Sequence, residues 1–595
     1  MKRLYTAVLV ASALVLACAS CSKELDVTNP NNQTTYDFGN SESDLNEALI
    51  ACYNRIRLEG TFARVGYTMD AVRGDEIWNA SQVWYLPYDN LNSVNTDEIG
   101  NQWIWRDCYH VVNRCNYVLD KLENQNLVIS EESFNQIKGQ ALFLRSLAYY
   151  TLTTYQQTVP LFTEYSQYSS LESMYAANVS QDAIFDQIEG DLIWAMENLP
   201  SRDKGGEWAT GRATCGAAAG YLARCYMFRH NFVDALEVLE DIIAGKYGSY
   251  KLMDDFGDNF REGTAYENNA ESLFEVQFLD YNQGGTDEEW TPVNISSNAT
   301  QGHAVESNYA PAAFGSWADL AVSPWLYNLY KAETCTDGTL DPRLYWTICS
   351  YEKEYDAYSG AKTAAYPSGD PRCNIVYQTP ITSTPFTNST NGGFSSAKWT
   401  YARQDVCSSI VTGLHCGINL RLMRYSDVLL RAAECENEIN GPTEKAIGYI
   451  NQVRTRVALP KLQKSDFANA DQLFEQIANV ERPKEFGCEN GRGIDLIRWG
   501  FFYSNDRLNQ IKQHSCYLFE NSESVEAPST AELTIDTCSD YSYKYFQPGH
   551  EYFPIAQSTL NANQSLTGNS ANTNTDNSEY FFSQGWKVHP VVSLK

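Results

Sequence analysis

Apolar residues recur at helical spacing through most of the first 250 positions and lose that spacing beyond them. Leu45, Ala48 or Leu49, Cys52 and Ile56 share one face of a helix that begins after Ser41, with Ser41 and Asp44 placed as a capping pair. The 103–122 stretch repeats the same period, and 134–150 aligns Ile137, Ala141, Leu144 and Ala148. Another helix is expected to start after Ser180, to carry Phe185, Ile188, Leu192 and Ala195 on one side, and to stop at Leu199 before Pro200.

Two passages read as paired helices. In 217–243 a helix of small and aromatic residues meets a short polar turn and then an amphipathic helix with Phe232, Ala235, Leu239 and Ile242. In 425–456 Gly441-Pro442 separates two more. The spacing of Ala, Gly and Tyr resembles a tetratricopeptide repeat, whose small residues let helices approach closely. The two pairs are degenerate and far apart in sequence. The expected fold is therefore mostly α, a tetratricopeptide-like helical scaffold over about 41–250 and 421–500 rather than an open solenoid.

Between about 251 and 420 Gly, Ser, Thr, Asn and Pro become frequent, and aromatic residues stand in polar surroundings: Trp290, Tyr309, Trp317, Trp325, Trp399 and Tyr401. A loop-rich insertion on a rigid scaffold is where binding surfaces usually lie. A similar patch occurs earlier, in 75–92, around Trp78, Asn79, Trp84 and Tyr85.

The first residues have a different logic. Lys2 and Arg3 precede an apolar run, small residues surround Cys18 and Cys21, and the chain then turns polar. That order is an export signal. Its apolar run is shorter than the roughly 20 residues a spanning helix needs. Cys18-Ala-Ser-Cys21 has zinc or redox spacing, but such a site needs a folded context. A cysteine at the cleavage point instead resembles a bacterial lipoprotein signal. Cys18 follows Val15-Leu16-Ala17 in good order; Cys21, the assigned lipidation site, is followed by Ser-Lys-Glu-Leu-Asp. Acyl chains anchor stably because each buried methylene is worth about 0.8 kcal/mol.

Charge narrows the function further. The net charge is −30, which repels phosphate backbones and argues against nucleic-acid binding. The sixteen cysteines are too dilute for a disulfide-built scaffold. Cys108 and Cys115 share the apolar face of Val111, Val112, Val118 and Leu122, as buried thiols acting as small hydrophobes would. Phosphate-cradling, dinucleotide and nucleophile-elbow motifs are missing, as is H-E-x-x-H. The seven histidines stand singly without ligand spacing. No catalytic residue, metal site or cofactor is expected.

Several segments together resemble one family. "CSKELDV", "IKGQALFLRSLAYYTLTTYQQTVPL" (137–161), "GRATCGAAAGYLARCYMF" (211–228), "LMRYSDVLLRAAE" (422–434) and "ERPKEFGCENGRGIDLIRWG" (481–500) follow one another in the order seen in SusD/RagB-type nutrient-binding lipoproteins of Bacteroidetes. Pro483 departs from the pattern, inside what should be a helix, and predicts a kink or an early end. The resemblance implies a signal at 1–20, one SusD-like domain over 21–595 and an added segment at 570–595. It also implies a lipid-anchored protein of the outer membrane that faces the exterior. Such a protein captures an oligosaccharide or polysaccharide and passes it to a SusC-like TonB-dependent transporter. A peptide binder of the same architecture, a secreted glycoside hydrolase and a repeat scaffold for protein assembly are the alternatives.

Glu481, Arg482, Glu485, Arg492, Asp495 and Arg498 could suggest catalysis. Arginines beside acids hold carboxylate pKa values down, whereas a general acid needs one raised. They are expected to form an ion-pair network that pins the scaffold. The expected binding face is Trp84, Trp290 and Trp317 stacking on ligand, with Tyr85, Trp78, Asn79 and Arg73 nearby. Flat apolar groups suit sugar C–H faces, and planar polar groups suit hydroxyls.

Overall fold

The computed structural model describes residues 38–79, 82, 84–91, 99–123, 127–279, 302–310, 316–349, 394–400, 416–515, 542–566 and 577–594. The proposed lipidation site at Cys21 and the candidate Trp290 lie outside them.

The periodic stretches form helices with the expected caps. Ser41 accepts the Asp44 amide of helix Glu42–Arg55, and Ser180 accepts the Ala183 amide of helix Gln181–Asn198. The 103–122 pattern extends to Ile99–Leu122 and the 134–150 pattern to Glu131–Gln156. Their apolar stripes are buried, Leu45, Leu49, Cys52, Ile104, Val111, Ala141 and Leu144 among them. In sequence order these helices pack as a row: Ile99–Leu122 on Glu131–Gln156, that on Gln181–Asn198, then Cys215–Phe228 and Phe232–Ile243.

The row does not end there. Phe232–Ile243 packs on Tyr425–Asn440, which packs on Glu444–Arg456. The two repeat-like pairs, separated by some 180 residues of chain, are neighbours in space. Gly220 lets helix Cys215–Phe228 close on Met423 and Leu273: a Cβ there would lie 2.5 Å from the Met423 sulfur. The fold is a tetratricopeptide-like helical scaffold.

The chain leaves and re-enters this scaffold through one antiparallel ladder. Ser272–Val276 pairs with Leu420–Arg424, with Ser272 opposite Arg424 and Val276 opposite Leu420. Buried ion pairs lock this neck. Arg424 donates to Glu271 (2.5 Å), Glu485 (2.9 Å) and Glu489 (2.7 Å), and Arg456 and Arg343 reach Glu485 from other sides. The 481–498 acids and arginines thus form the expected network: Arg482 bridges Asp427 and Asp495, Arg498 bridges Asp495 and Glu434, and Arg492 holds Asp75. Burial pushes Asp495 and Glu434 up, but the guanidinium groups outweigh it and hold both below the usual carboxylate range. A π turn over Ile477–Glu481 interrupts the helix just before Pro483, which sits in the first turn of Arg482–Phe486.

The end of the chain is a strap. Phe581 is buried against Gly500, Trp586 stacks on His230 (4.3 Å), and His589 stacks on Phe474 (4.0 Å). His589 also contacts Asp471 (2.7 Å) and Glu438 (2.6 Å), while Arg507 donates to its carbonyl. The ten described cysteines are all buried and unbridged. Trp399 and Tyr309 do not stand on the surface as the polar surroundings suggested; both are fully buried. Among the described residues no helix is long and apolar enough to cross a membrane.

Candidate functional site

A cleft of 650 Å³ opens between the early loops and the insertion, lined by Arg64, Gln82, Trp84, Ile99, Trp103, Trp317 and Asp319. The turn at Arg64, the segment of Trp84 and the segment of Trp317 meet there on helix Ile99–Leu122, and each of the three is held by something identifiable.

The first is the turn that presents Arg64. A π-helical turn over Glu59–Ala63 ends at Arg64, where helix Val65–Val72 begins. Gly60 lets this turn touch helix Ile99–Leu122. A Cβ at residue 60 would lie 2.0 Å from the Trp103 carbonyl oxygen, and the Gly60 amide donates to Asp107 at 2.9 Å. Arg64 is therefore fixed relative to Trp103. Its Nε donates to Glu59, and both side chains are buried.

The second and third parts are joined by a short sheet. Strand Ile77–Asn79 pairs antiparallel with Leu320–Val322, with Trp78 opposite Ala321 and Asn79 opposite Leu320. This ladder brings Trp84, a few residues after one strand, beside Trp317, just before the other. Asn79 shapes the connecting turn: it accepts the Gln82 amide and donates to the Gln82 carbonyl. On the other side the Trp317 and Ala318 amides both donate to the Ser307 carbonyl, and Ala318 adopts a φ of 52°.

The Arg64 guanidinium carbon lies 5.3 Å from the Trp317 ring centroid, 5.5 Å from Trp103 and 5.9 Å from Trp84. Three indoles are thus arranged around one internal cation. Trp317 remains 40% exposed and Ile99 42% exposed, so the cleft offers apolar surface to solvent. Gln82 and Asp319 supply polar groups at its edge. Beneath it runs a hydrogen-bonded chain: Thr68 with Tyr85 (2.6 Å), Tyr85 to Asn308 (3.5 Å) and Asn308 to Asp319 (2.8 Å).

Of the residues expected at the binding face, the structure gathers Trp84 and Trp317 in one cleft. Trp78 and Asn79 are buried in the strand and turn that hold the cleft's wall. Tyr85 and Arg73 do not line the cleft. Tyr85 is fully buried and stacks on Trp84 at 3.9 Å as its backing, and burial pushes its phenol well up. Arg73 is buried with its guanidinium 4.3 Å from the Phe553 centroid. The Tyr85 ring lies beneath that of Trp84, so proximity to Trp84 did not imply exposure.

Sequence reasoning missed Arg64, Gln82, Ile99, Trp103 and Asp319. Trp103 had left a signal. It lies off the buried stripe of Ile104, Cys108, Val111 and Cys115, and an indole off the core face of a helix invites a surface role. No group of three metal-ligating side chains occurs among the described residues.

Comparison with known proteins agrees with this architecture. Residues 270–572 match the family model described as the SusD family, and residues 23–227 match one described as starch-binding associating with outer membrane. The SusD-like protein P25 of Formosa agariphila is 24% identical over 505 residues, covering 82% of this chain and 88% of its own length. A SusD-like carbohydrate binding protein of Bacteroides fragilis superposes with a TM-score of 0.69 at 21% identity, over 89% of this chain and 100% of the other. Surface glycan-binding protein A of Bacteroides thetaiotaomicron, in complex with laminarihexaose, gives 0.62 at 20% identity, over 89% and 99%. With more than half of its length matched by the family model and the same helical scaffold, the chain belongs to the SusD family.

Proposed function

We propose that this protein captures a glycan in the cleft of Trp84, Trp103 and Trp317 at the cell surface. The observation that carries the reading is the grouping of three indoles, one strongly exposed, with Gln82 and Asp319 at the rim. Indole faces match the flat C–H surfaces of pyranose rings, and the amide and carboxylate match hydroxyls. The names of structural relatives, which mention carbohydrate and laminarihexaose, support the same class of ligand.

The protein binds and does not cleave. Two-carboxylate glycosidases flank the scissile bond with an acid pair, whereas Asp319 is the single carboxylate lining this cleft among the described residues. The export-signal pattern supports lipidation at Cys21 and an outer-membrane, outward-facing location, to which the wording of the second family model adds weight. Delivery of the glycan to a SusC-like TonB-dependent transporter follows from the family resemblance.

The test is affinity electrophoresis of the mature protein through gels containing a panel of polysaccharides, with chromatography of each bound polymer after incubation. Retardation by at least one polysaccharide, returned unchanged, is expected. Retention of peptides and of no polysaccharide, or release of fragments by the purified protein, would contradict the reading.

A further inference from the structure

Two fully buried thiols meet where helix Glu42–Arg55 packs on helix Ile99–Leu122. Cys52 belongs to the first and Cys115 to the second, and neither side chain reaches solvent. Contacts on either side fix how the two segments run. At one end Tyr117 donates to the Phe38 carbonyl (2.9 Å), and a Cβ on Gly39 would lie 3.0 Å from the Tyr117 hydroxyl. At the other end the Gly60 amide donates to Asp107 (2.9 Å). Residues 38–60 thus run antiparallel to 103–121, and Cys52 and Cys115 fall between those two ends. Cys52 donates its thiol to the Ala48 carbonyl (3.3 Å). Its sulfur is left as the acceptor for Cys115, and the two side chains share a hydrogen bond.

Other buried thiols are placed differently. Those of Cys215 and Cys335 donate to the carbonyls of Tyr247 (3.4 Å) and Val457 (3.1 Å). A disulfide needs two sulfurs that can close to about 2.05 Å, and such bonds persist in proteins exported from the reducing cytoplasm.

We infer that Cys52 and Cys115 are joined by a disulfide in the exported protein, an inference that rests on the export reading above. The bond forms by exchange with a disulfide outside the cytoplasm, either a small molecule or a protein thiol oxidant. One cysteine, as thiolate, attacks that disulfide, breaks its S–S bond and releases one thiol. The second cysteine, as thiolate, then attacks the mixed disulfide and releases the other. The two cysteines lose two protons and two electrons, and the external disulfide gains them. The exchange belongs to folding, before the helices close, because burial pushes the Cys115 thiol well up and leaves little thiolate to react afterwards.

The bond closes the loop that builds most of the cleft. Arg64, Gln82, Trp84, Ile99 and Trp103, five of its seven lining residues, lie between Cys52 and Cys115 in sequence. Closing a loop of roughly 60 residues stabilises the fold by restricting the unfolded chain.

The test maps the cysteines of protein purified from the outer-membrane fraction, alkylated with iodoacetamide in denaturant without reductant and cut with trypsin. Cleavage after Lys23, Arg55, Arg114 and Lys121 puts Cys52 in peptide 24–55, Cys115 in 115–121 and Cys108 in 107–114. The expected product is 24–55 linked to 115–121, two hydrogens lighter than the sum of the free thiol peptides. A phosphine reductant should lower the melting temperature of this protein by about 5 °C or more and leave that of the Cys52→Ala, Cys115→Ala double variant unchanged. Alkylation of both cysteines in acylated protein, or a link from Cys52 to Cys108, would overturn the inference and leave the export reading intact. Alkylation of both in unacylated protein would remove the export reading, and the inference with it.

Discussion

The indoles of the cleft are held by groups that do not touch solvent. Tyr85 shows this most plainly, since its ring backs Trp84 and its hydroxyl contacts Thr68 at 2.6 Å. Tyr85→Phe keeps the stack and removes the hydrogen bond. It should therefore cost about 1 kcal/mol of stability and leave glycan affinity within twofold, read by a thermal melt and a titration. A large loss of affinity would return Tyr85 to the binding face. Glu76 offers a test of a different kind. Burial pushes it up to about 8, against the pull of Arg492 and helped by Asp75, and one of its oxygens has no hydrogen-bond partner. A folded pKa above the unfolded value means that its contribution is fully present below about 4.5 and is lost as pH rises through about 8. Glu76→Gln should thus stabilise the protein more at pH 8 than at pH 5, by on the order of 1 kcal/mol or more. A pH-independent effect would contradict that assignment. Sequence alone pointed to Trp84 and Trp317 because both lay off any helical stripe. It could not separate them from Tyr85, Tyr309 or Trp399, since polar neighbours in sequence say nothing about what lies across the fold.

At the scale of elements, caps and periodicity made the long helices readable, down to Ser41 and Ser180, because those signals are local. The features that build the cleft were not local. Ile77–Asn79 and Leu320–Val322 are three-residue strands whose partners lie some 240 residues apart, too short to leave an alternating pattern. The π turn before Arg64 has no recognised sequence signature, although Gly60 marks its contact with the Trp103 carbonyl. Gly60→Ala forces that contact apart, so it should cost about 1–3 kcal/mol and weaken glycan binding by shifting Arg64 and Trp103 together. Unchanged affinity and melting temperature would show that the contact is not needed. The terminal strap is also testable. Burial lowers the His589 pKa, but Glu438 from helix Tyr425–Asn440 and Asp471 from helix Ala470–Gln476 outweigh it and raise it above 6.5; Arg507 from helix Asn505–His514 meets only its carbonyl. That stabilisation is fully present below pH 6.5 and is lost as pH rises through the raised value. Truncation after Asn577 should lower the melting temperature, by about 2 kcal/mol or more in stability from the buried Phe581 and the partly buried Trp586. The gap between full-length and truncated protein should be wider at pH 6 than at pH 9. A gap that widens with pH would contradict the His589 latch.

The whole molecule is a helical row interrupted by a long excursion. The repeat-like pairs at 217–243 and 425–456 were legible as pairs, and the motif order was specific enough to indicate the SusD family. Their adjacency was not legible, because it depends on the Ser272–Val276 and Leu420–Arg424 ladder and the buried ion pairs that close the neck. That closure fixes the insertion to the scaffold, so that Trp317 from one and Trp103 from the other face a common cleft. The central claim is that this cleft binds glycan through its indoles. It is tested most directly by calorimetric titration of wild type, Trp84→Ala and Trp317→Ala with a polysaccharide that the wild type binds, each with its thermal melt. Loss of about 2 kcal/mol per indole, roughly thirtyfold in affinity, with melting temperatures near wild type is the predicted result; unchanged affinity in both variants, with or without a lowered melting temperature, would contradict it.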